Sequence, residues 1–522
     1  MGGKKQPKGG KKPFIKQVKT GIIQRYDVVA DGVPAKVKIE KTEHSFVPLY
    51  NISFPKIEPA TKAVLDEIRE RLITEMDITP SEVLTPEGMN ELKKAFSEKV
   101  VPLIESSLTH LPESEKQVLA GILLHNSLGL GGMEMLLQDK NLEEVVINGS
   151  KEPIWVYHRE KGWLKTNMTL PSEVEIYNYA AQIGRKVGTQ ITNLSPLMDA
   201  YLTTGDRANA TLFPISSHGN TMTIRKFARR PWTITDFIKS NTVPMDIAAF
   251  LWLALQYEMN SLIAGGTASG KTALLNVLMC FIPPTQRVIS IEDTREMQLP
   301  DFLHWVPMTT RPANPEGKGE VSMLQLMINA LRMRPDRMIV GEIRRSREAE
   351  VLFEAIHTGH SVYATMHANT ANETLRRLTN PPINIPPALL GSLHLIVVMH
   401  RDRRRDLRRV LEVAELVDVS SGDKLKMEVN PLFKWMPGKD EFMPLEKSRM
   451  ILERIKMFTG MSDSEVDRSL KEKKDILHWL VKKDVNDLNT VGKIVSEYYM
   501  DPEKVLKGIK KGEIRIDSLR VG

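Results

Sequence analysis

The chain has 522 residues, of which 41% are hydrophobic and 26% charged, the composition of a folded globular protein rather than a fibrous or low-complexity one. Roughly three or four domains fit in that length, at ~100–200 residues each. The single cysteine, Cys280, excludes intramolecular disulfides and any four-cysteine zinc site, and suits a reducing cytoplasm.

The net charge of +7 is local. Lys4, Lys5, Lys8, Lys11, Lys12, Lys16 and Lys19 lie in the first 20 residues with no acid among them, and without them the chain holds 65 basic and 65 acidic residues. Residues 1–20 read as a basic tail too poor in apolar residues to fold. Such a tail is either a solvated terminus or a contact for anionic lipid or RNA, at ~1 kcal/mol per charge near a membrane. The neutral body disfavours tracking along nucleic acid, which needs a basic groove. The longest strongly apolar run, Ile247 to Leu255, is about half of a bilayer span. The basic start lacks the apolar core of a signal peptide.

Residues 21–60 alternate short apolar and polar stretches with Pro34, Pro48, Pro55 and Pro59, which predicts irregular or strand-rich structure. Val64, Leu65, Ile68 and Leu72 then recur at helical spacing, and helical patterns follow from Pro86 to Ile104 and from Glu113 to Leu128. Residues 21–130 thus read as a mostly helical N-terminal domain. A small α+β domain is expected over 131–227. Its elements are a strand near 144–147, a hairpin around Arg159–Gly162, a helix from Ser172 to Gly184, and strands from Arg207 to Phe213 and Thr221 to Phe227. Pro231 marks a linker over 228–240.

From 241 to 442 strands and helices alternate, the pattern of a parallel sheet flanked by helices. Residues 443–522 turn helical again. Ser462 to Glu465 is a capping box, Asp501 caps a helix that starts with Pro502, and Ile476, Leu477, Leu480, Val481 and Val485 make an apolar stripe. This end reads as a structural or partner-binding appendage.

The chemistry concentrates in the alternating segment. Gly265, Gly266, Thr267, Ala268, Ser269, Gly270, Lys271 and Thr272 fit the phosphate-loop pattern G-x-x-x-x-G-K-[ST], with an apolar strand before and a helix behind. Its backbone N–H groups, at the positive end of a helix dipole, make a nest for phosphate oxygens. Lys271 is expected to reach the β- and γ-phosphates, and the Thr272 hydroxyl to bind Mg²⁺. Glu342 follows the apolar run Met338 to Val340 in the second Walker position. The usual aspartate there is Gly341, so Glu342 is expected to reach Mg²⁺ through water. Glu292 and Glu296 end the preceding strand, and a carboxylate within one water of the γ-phosphate can accept its proton. Capping or ion pairing is the alternative role for these acids, weightiest for Glu296. Which of Glu292 and Glu342 is the general base stays open. His367, at a third strand end, is placed to hydrogen-bond a catalytic carboxylate or sense the γ-phosphate; His360 is weaker. Positive charge against the transition state would come from Arg311, from Arg344 and Arg345, or from outside the segment. Arg207 and Arg225 in the small domain are candidates for the last.

The order of phosphate loop, "SIEDTREMQLP", "RMRPDRMIVGEIR" and "TGHSVYATMHAN" resembles the secretion ATPase superfamily of type II and type IV secretion, type IV pili and the archaellum. The stretches "GDRANATLFPIS" and "TMTIRKF" fit too, so the resemblance covers about residues 130–418 and looks most like archaeal members. It implies an α/β fold: a RecA-like parallel-sheet ATPase domain preceded by a small α+β (PAS-like) domain, with mostly helical extensions. It implies ATP and Mg²⁺ and, unlike bacterial type II members, no zinc. Glu292 would be the aspartate-box acid, Glu342 the Walker B acid and His367 the histidine-box residue. Arg207 and Arg225 would contact phosphate across an interdomain or intersubunit cleft. The implied machine is a homo-hexameric motor that drives filament assembly or protein secretion. It would push on a polytopic membrane platform protein from the cytoplasmic face. The alternatives are a nucleic-acid translocase or conjugation-type ATPase, for which Arg401 to Arg409 is the one local argument, and a small-molecule kinase, for which no acceptor site is visible.

Overall fold

The structure is a computed structural model that describes residues 21–43, 45–75, 86–202, 205–227, 230–313, 317–405, 407–419 and 426–514. The basic tail and residues 228–229 of the expected linker lie outside them. The chain divides into two compact units, Met1–Ala228 and Arg229–Gly522.

The first unit is built on a nine-stranded sheet. Its strands are β1 (Gly21–Ala30), β2 (Val33–Lys41), β3 (Leu49–Ser53), β4 (Leu142–Ile147), β5 (Trp155–His158), β6 (Gly162–Thr166), β7 (Leu197–Tyr201), β8 (Arg207–Thr211) and β9 (Thr221–Arg225), in the spatial order β1-β2-β3-β6-β5-β4-β9-β8-β7. β1 and β2 turn on Asp31-Gly32, both at positive φ, the Asp-Gly pair that a two-residue hairpin favours. β3 pairs in parallel with β6, so the sheet runs across the division expected at 130. Residues 21–53 are therefore strands of the same sheet rather than part of a helical domain. Val28, Val37, Ile39 and Ile52 join Ile147, Val156 and Ile224 in one core. The helices Pro59–Glu75, Pro86–Ser107 and Glu113–Ser127 form a separate cluster around Leu65, Phe96, Val100, Ile104 and Leu123.

The second unit holds β10 (Ser261–Gly265), β11 (Val288–Glu292), β12 (Trp305–Thr309), β13 (Arg337–Val340), β14 (Ser361–Met366), β15 (Leu395–Asp402), β16 (Leu407–Asp418), β17 (Met427–Met436) and β18 (Glu441–Pro444). Their order is β12-β11-β13-β14-β10-β15-β16-β17-β18. The first six are parallel, as expected of the RecA-like class; β16 to β18 extend the sheet antiparallel. Every residue of β10, β11, β13 and β14 is buried, which is why these strands read as unbroken apolar runs. Leu262 and Ala264 face one core and Ile263 the other, so both faces of the sheet are covered.

The helices beyond 443 share the second unit's core. Trp252, on the helix Met245–Gln256, stacks on Phe281 at 4.7 Å and meets Tyr498 edge-on at 5.6 Å. Its Nε1 donates to the Tyr499 hydroxyl at 2.7 Å, and that hydroxyl donates to the Phe281 carbonyl at 2.6 Å. The fully buried Glu415 accepts from the Ser448 hydroxyl at 2.8 Å and from the N–H groups of Met450 and Ile451, capping the helix Ile451–Thr459. The caps read from sequence are present: Ser462 accepts from the Glu465 N–H and Asp501 from that of Lys504. Among the described residues, no helix is long and apolar enough to cross a membrane.

Candidate nucleotide site

The phosphate loop leaves the carboxyl end of β10, at the edge of the sheet where ligands of open α/β folds bind. Gly265 has φ +155°, and a Cβ there would lie 2.6 Å from the Met399 carbonyl oxygen and 2.4 Å from Ser269 Oγ. Only glycine fits. Gly270, at φ +94°, caps the helix Lys271–Leu278. Ala268 also sits in the left-handed region, at φ +58°. Lys271 is 8% exposed and turned into the loop, where its ammonium donates to the Gly266 carbonyl at 3.3 Å. Thr272 follows in the first helical turn. A left-handed turn at a helix N-terminus with an inward lysine fits a triphosphate and its Mg²⁺.

β14 lies between β10 and β13, so the residue after it falls between the phosphate loop and the end of β13. That residue is His367. Its Nδ1 is 3.4 Å from Lys271 Nζ and its Nε2 is 3.0 Å from Glu342 Oε1. Burial, and next the Lys271 charge, hold the imidazole below its ordinary pKa, so it is neutral at pH 7. In that form Nδ1 accepts from Lys271 and Nε2–H donates to Glu342. Burial also lowers the Lys271 ammonium, an effect that Glu342 opposes.

Arg344 completes the row. Its fork holds Glu342 Oε2 at 2.8 Å and Asp293 Oδ2 at 2.8 Å, and Asp293 Oδ1 accepts from the Thr310 hydroxyl at 3.2 Å. Lys271, His367, Glu342, Arg344 and Asp293 thus alternate along the carboxyl ends of four strands. The sequence treats Arg344 as a finger candidate and does not single out Asp293; their ion pair is visible only once β11 and β13 are side by side. Arg311 instead donates to the Gly319 carbonyl at 2.8 Å, and His360 lies against the Ala355 carbonyl at a helix end. Asn369 does reach the site, since a Cβ on Gly266 would stand 3.3 Å from its Oδ1.

Glu292 ends β11 and is 2% exposed. Its Oε1 accepts from the N–H groups of Glu296 at 3.0 Å and Met297 at 3.2 Å, while Oε2 has no hydrogen-bond partner among the described residues. A Cβ on Gly341 would come 3.5 Å from Glu292 Cγ, so an aspartate at 341 would bring a second carboxylate into the same dry space. Burial pushes the Glu292 carboxyl up to about 7 from an ordinary 4.5. The folded state therefore keeps a proton that the unfolded chain gives up across this window. Its stabilising contribution is full below about pH 4.5 and is lost as pH rises through 7, about 3 kcal/mol at most. In denaturant titrations from pH 5 to 8, the wild type should lose stability relative to Glu292→Gln; parallel curves would contradict the buried, protonated carboxyl.

Arg207 and Arg225 face each other across β8 and β9, in a row that runs Tyr201, Arg207, Arg225, Glu144 over four strands. Directly opposed like charges weaken a sheet. Arg207 offsets this with a two-pronged pair to Asp199, at 2.8 and 2.5 Å, and lies 5.2 Å from the Tyr201 ring centroid. The structure brings these two arginines together in the first unit and Lys271, His367, Glu342 and Arg344 together in the second, with Arg311 and His360 outside that row.

Residues 207–404 match the family model described as type II/IV secretion system protein. The chain is 31% identical over 480 residues to an uncharacterized protein of Methanocaldococcus jannaschii, covering 87% of this chain and 85% of that one. It is 30% identical over 306 residues to the type IV secretion system protein PtlH of Bordetella pertussis, covering 52% of this chain and 89% of PtlH. Among solved structures, the VirB11 ATPase of the Brucella suis type IV secretion system aligns over 53% of this chain and 90% of its own, at 25% identity and a TM-score of 0.28. By the family-model match and the two sequence relatives, at 31% and 30% identity over 85% and 89% of their lengths, the chain belongs to the type II/IV secretion system protein family.

Proposed function

We propose that this chain is a homo-hexameric motor ATPase that couples ATP hydrolysis to filament assembly or protein secretion at a membrane. The observation that supports this most is the continuous row from Lys271 through His367 and Glu342 to Arg344 and Asp293, which ties the phosphate loop to three other strand ends. In this reading the loop N–H groups and Lys271 hold the β- and γ-phosphates. Thr272, with Glu342 through water, would hold Mg²⁺, which would neutralise phosphate charge. Either Glu342 or Glu292 takes the proton of the attacking water. The histidine, neutral and bonded to both Lys271 and Glu342, reports occupancy of one to the other. Arg207 and Arg225 supply positive charge from the first unit, of the same or a neighbouring subunit. Loss of the γ-phosphate then releases one set of contacts, and the units move.

The partner on this reading is a polytopic membrane platform protein, with the motor on the cytoplasmic face. Two arginines of the Arg401–Arg409 run are engaged internally, Arg405 with Asp402 and Arg409 with Asp440, which weakens the nucleic-acid alternative. The test combines sedimentation with Mg²⁺-ATP and steady-state turnover. A six-subunit species is expected, and Arg207→Ala should cut turnover by ~10²-fold while nucleotide still binds. Loss of binding in that variant would make Arg207 a binding group. Turnover stimulated by DNA and falling steeply with salt would favour the translocase.

A further inference from the structure

One member of the arginine run at the β15–β16 hairpin points at the phosphate loop. β15 pairs with β10 so that Met399 lies opposite Gly265, the first glycine of the phosphate loop. β16 is the next strand out, and Arg408 stands opposite Arg401 on it. From there the Arg408 side chain reaches back over Met399. Its Nε is 3.4 Å from the Ala268 carbonyl, and a Cβ on Gly270 would lie 3.5 Å from both Arg408 Cδ and Met399 Cε. Among the described residues no carboxylate pairs with Arg408, whereas Arg405 and Arg409 each have one.

What Arg408 touches is the strained part of the loop. Ala268 is a residue with a side chain at φ +58°, and Gly270 is at φ +94°. Non-glycine residues hold the left-handed conformation only where their surroundings impose it. Those two peptides are the ones whose reversal would turn N–H groups away from the nest. A cation on the Ala268 carbonyl fixes that peptide with its oxygen outward, and so with the Ser269 N–H turned into the loop, where it donates to the Gly266 carbonyl at 3.3 Å.

We propose that Arg408 is a positioning residue of the phosphate loop: it clamps the Ala268–Gly270 turn in the anion-binding conformation and adds positive charge to the wall of the nest. The inference rests on that loop being the nucleotide site. It assigns a role to a residue that no local motif marks, because β16 is separated from the loop by more than a hundred residues of chain.

The experiment measures binding of a fluorescent ATP analogue with Mg²⁺, and the ATPase KM and kcat, in the full-length wild type, R408A, R408Q, R408K and R405A. Removing the cation from the wall of the nest, along with its 3.4 Å contact to the Ala268 carbonyl, predicts about tenfold weaker binding and about tenfold higher KM for R408A, with kcat within about threefold of wild type. R408K should recover most of the affinity and R408Q little of it. R405A, in the same hairpin, should bind as wild type does. If R408A does not fold, the contrast between R408K and R408Q decides, and equal affinities there overturn the proposal. So does wild-type affinity in R408A, or a loss confined to kcat, or an equal loss in R405A. A wild type that binds no nucleotide, or binds it equally well after Lys271→Ala, overturns the site reading and this proposal with it. Binding lost in Lys271→Ala but kept in R408A overturns the Arg408 role alone.

Discussion

Replacing Lys271 with alanine is expected to cut ATP turnover by ~10²–10³-fold, the cost of removing one preorganised charge from a phosphoryl-transfer site. The protein should nonetheless stay folded. Lys271 is buried at 8% exposure, and burial already works against its charge. Its partners in the nucleotide-free loop are a carbonyl at 3.3 Å and an imidazole nitrogen at 3.4 Å, long contacts whose loss costs little. The two effects separate in a thermal-unfolding assay. A ligand at a hundred times its Kd stabilises the native state by about 2.7 kcal/mol, so Mg²⁺-ATP should raise the wild-type midpoint. The variant should start from a similar midpoint and gain nothing. Near-wild-type turnover in Lys271→Ala would remove the nucleotide from this loop altogether. A fallen midpoint without ligand would show that the row from Lys271 to Asp293 stabilises the fold.

The phosphate loop was legible in sequence because its geometry demands particular residues: no side chain fits at Gly265, and Lys271 can sit only at a helix start. The strand-end acids were legible because β11 and β13 are buried on both faces, so each apolar run stops where the polar edge begins. What depends on distant pairing was not legible. β3 meets β6 across more than a hundred residues, and no local pattern announces that Leu49–Ser53 belongs beside Gly162–Thr166. β16 is hidden for another reason: its arginines form a local basic run, and their partners Asp440 and the Ala268 carbonyl are remote in sequence. The stripe Ile476, Leu477 and Leu480 was visible as amphipathic helix. Its counterpart, Met245–Gln256, is apolar on every side and so gives no face to match. In sequence each acid stands alone as a candidate. Arg344 makes them a set, since one guanidinium holds Glu342 and Asp293 together.

That shared guanidinium shapes what Glu342→Gln should do. The substitution keeps the shape and one oxygen, so the His367 Nε2–H retains an acceptor. The other atom presented to Arg344 becomes an amide nitrogen, and two donors then face each other where a 2.8 Å ion pair stood. Arg344 keeps its second partner, Asp293, and should shift toward it. The phosphate loop is untouched, so ATP binding should persist, with KM within about threefold of wild type. Turnover should drop ~10²–10³-fold, because a neutral amide neither accepts the proton of the attacking water nor neutralises Mg²⁺ through its hydration shell. Single-turnover measurements with and without excess Mg²⁺ divide those two roles. If excess metal restores the rate, Glu342 acts by holding Mg²⁺, and the proton goes to Glu292, whose burial has already raised its pKa to about 7, near the value a general base needs at neutral pH. If metal restores nothing while Glu292→Gln still turns over, Glu342 is the base, and the buried Glu292 serves to hold the loop at Glu296 and Met297. Wild-type turnover in Glu342→Gln would remove this acid from the chemistry and leave the row a structural one.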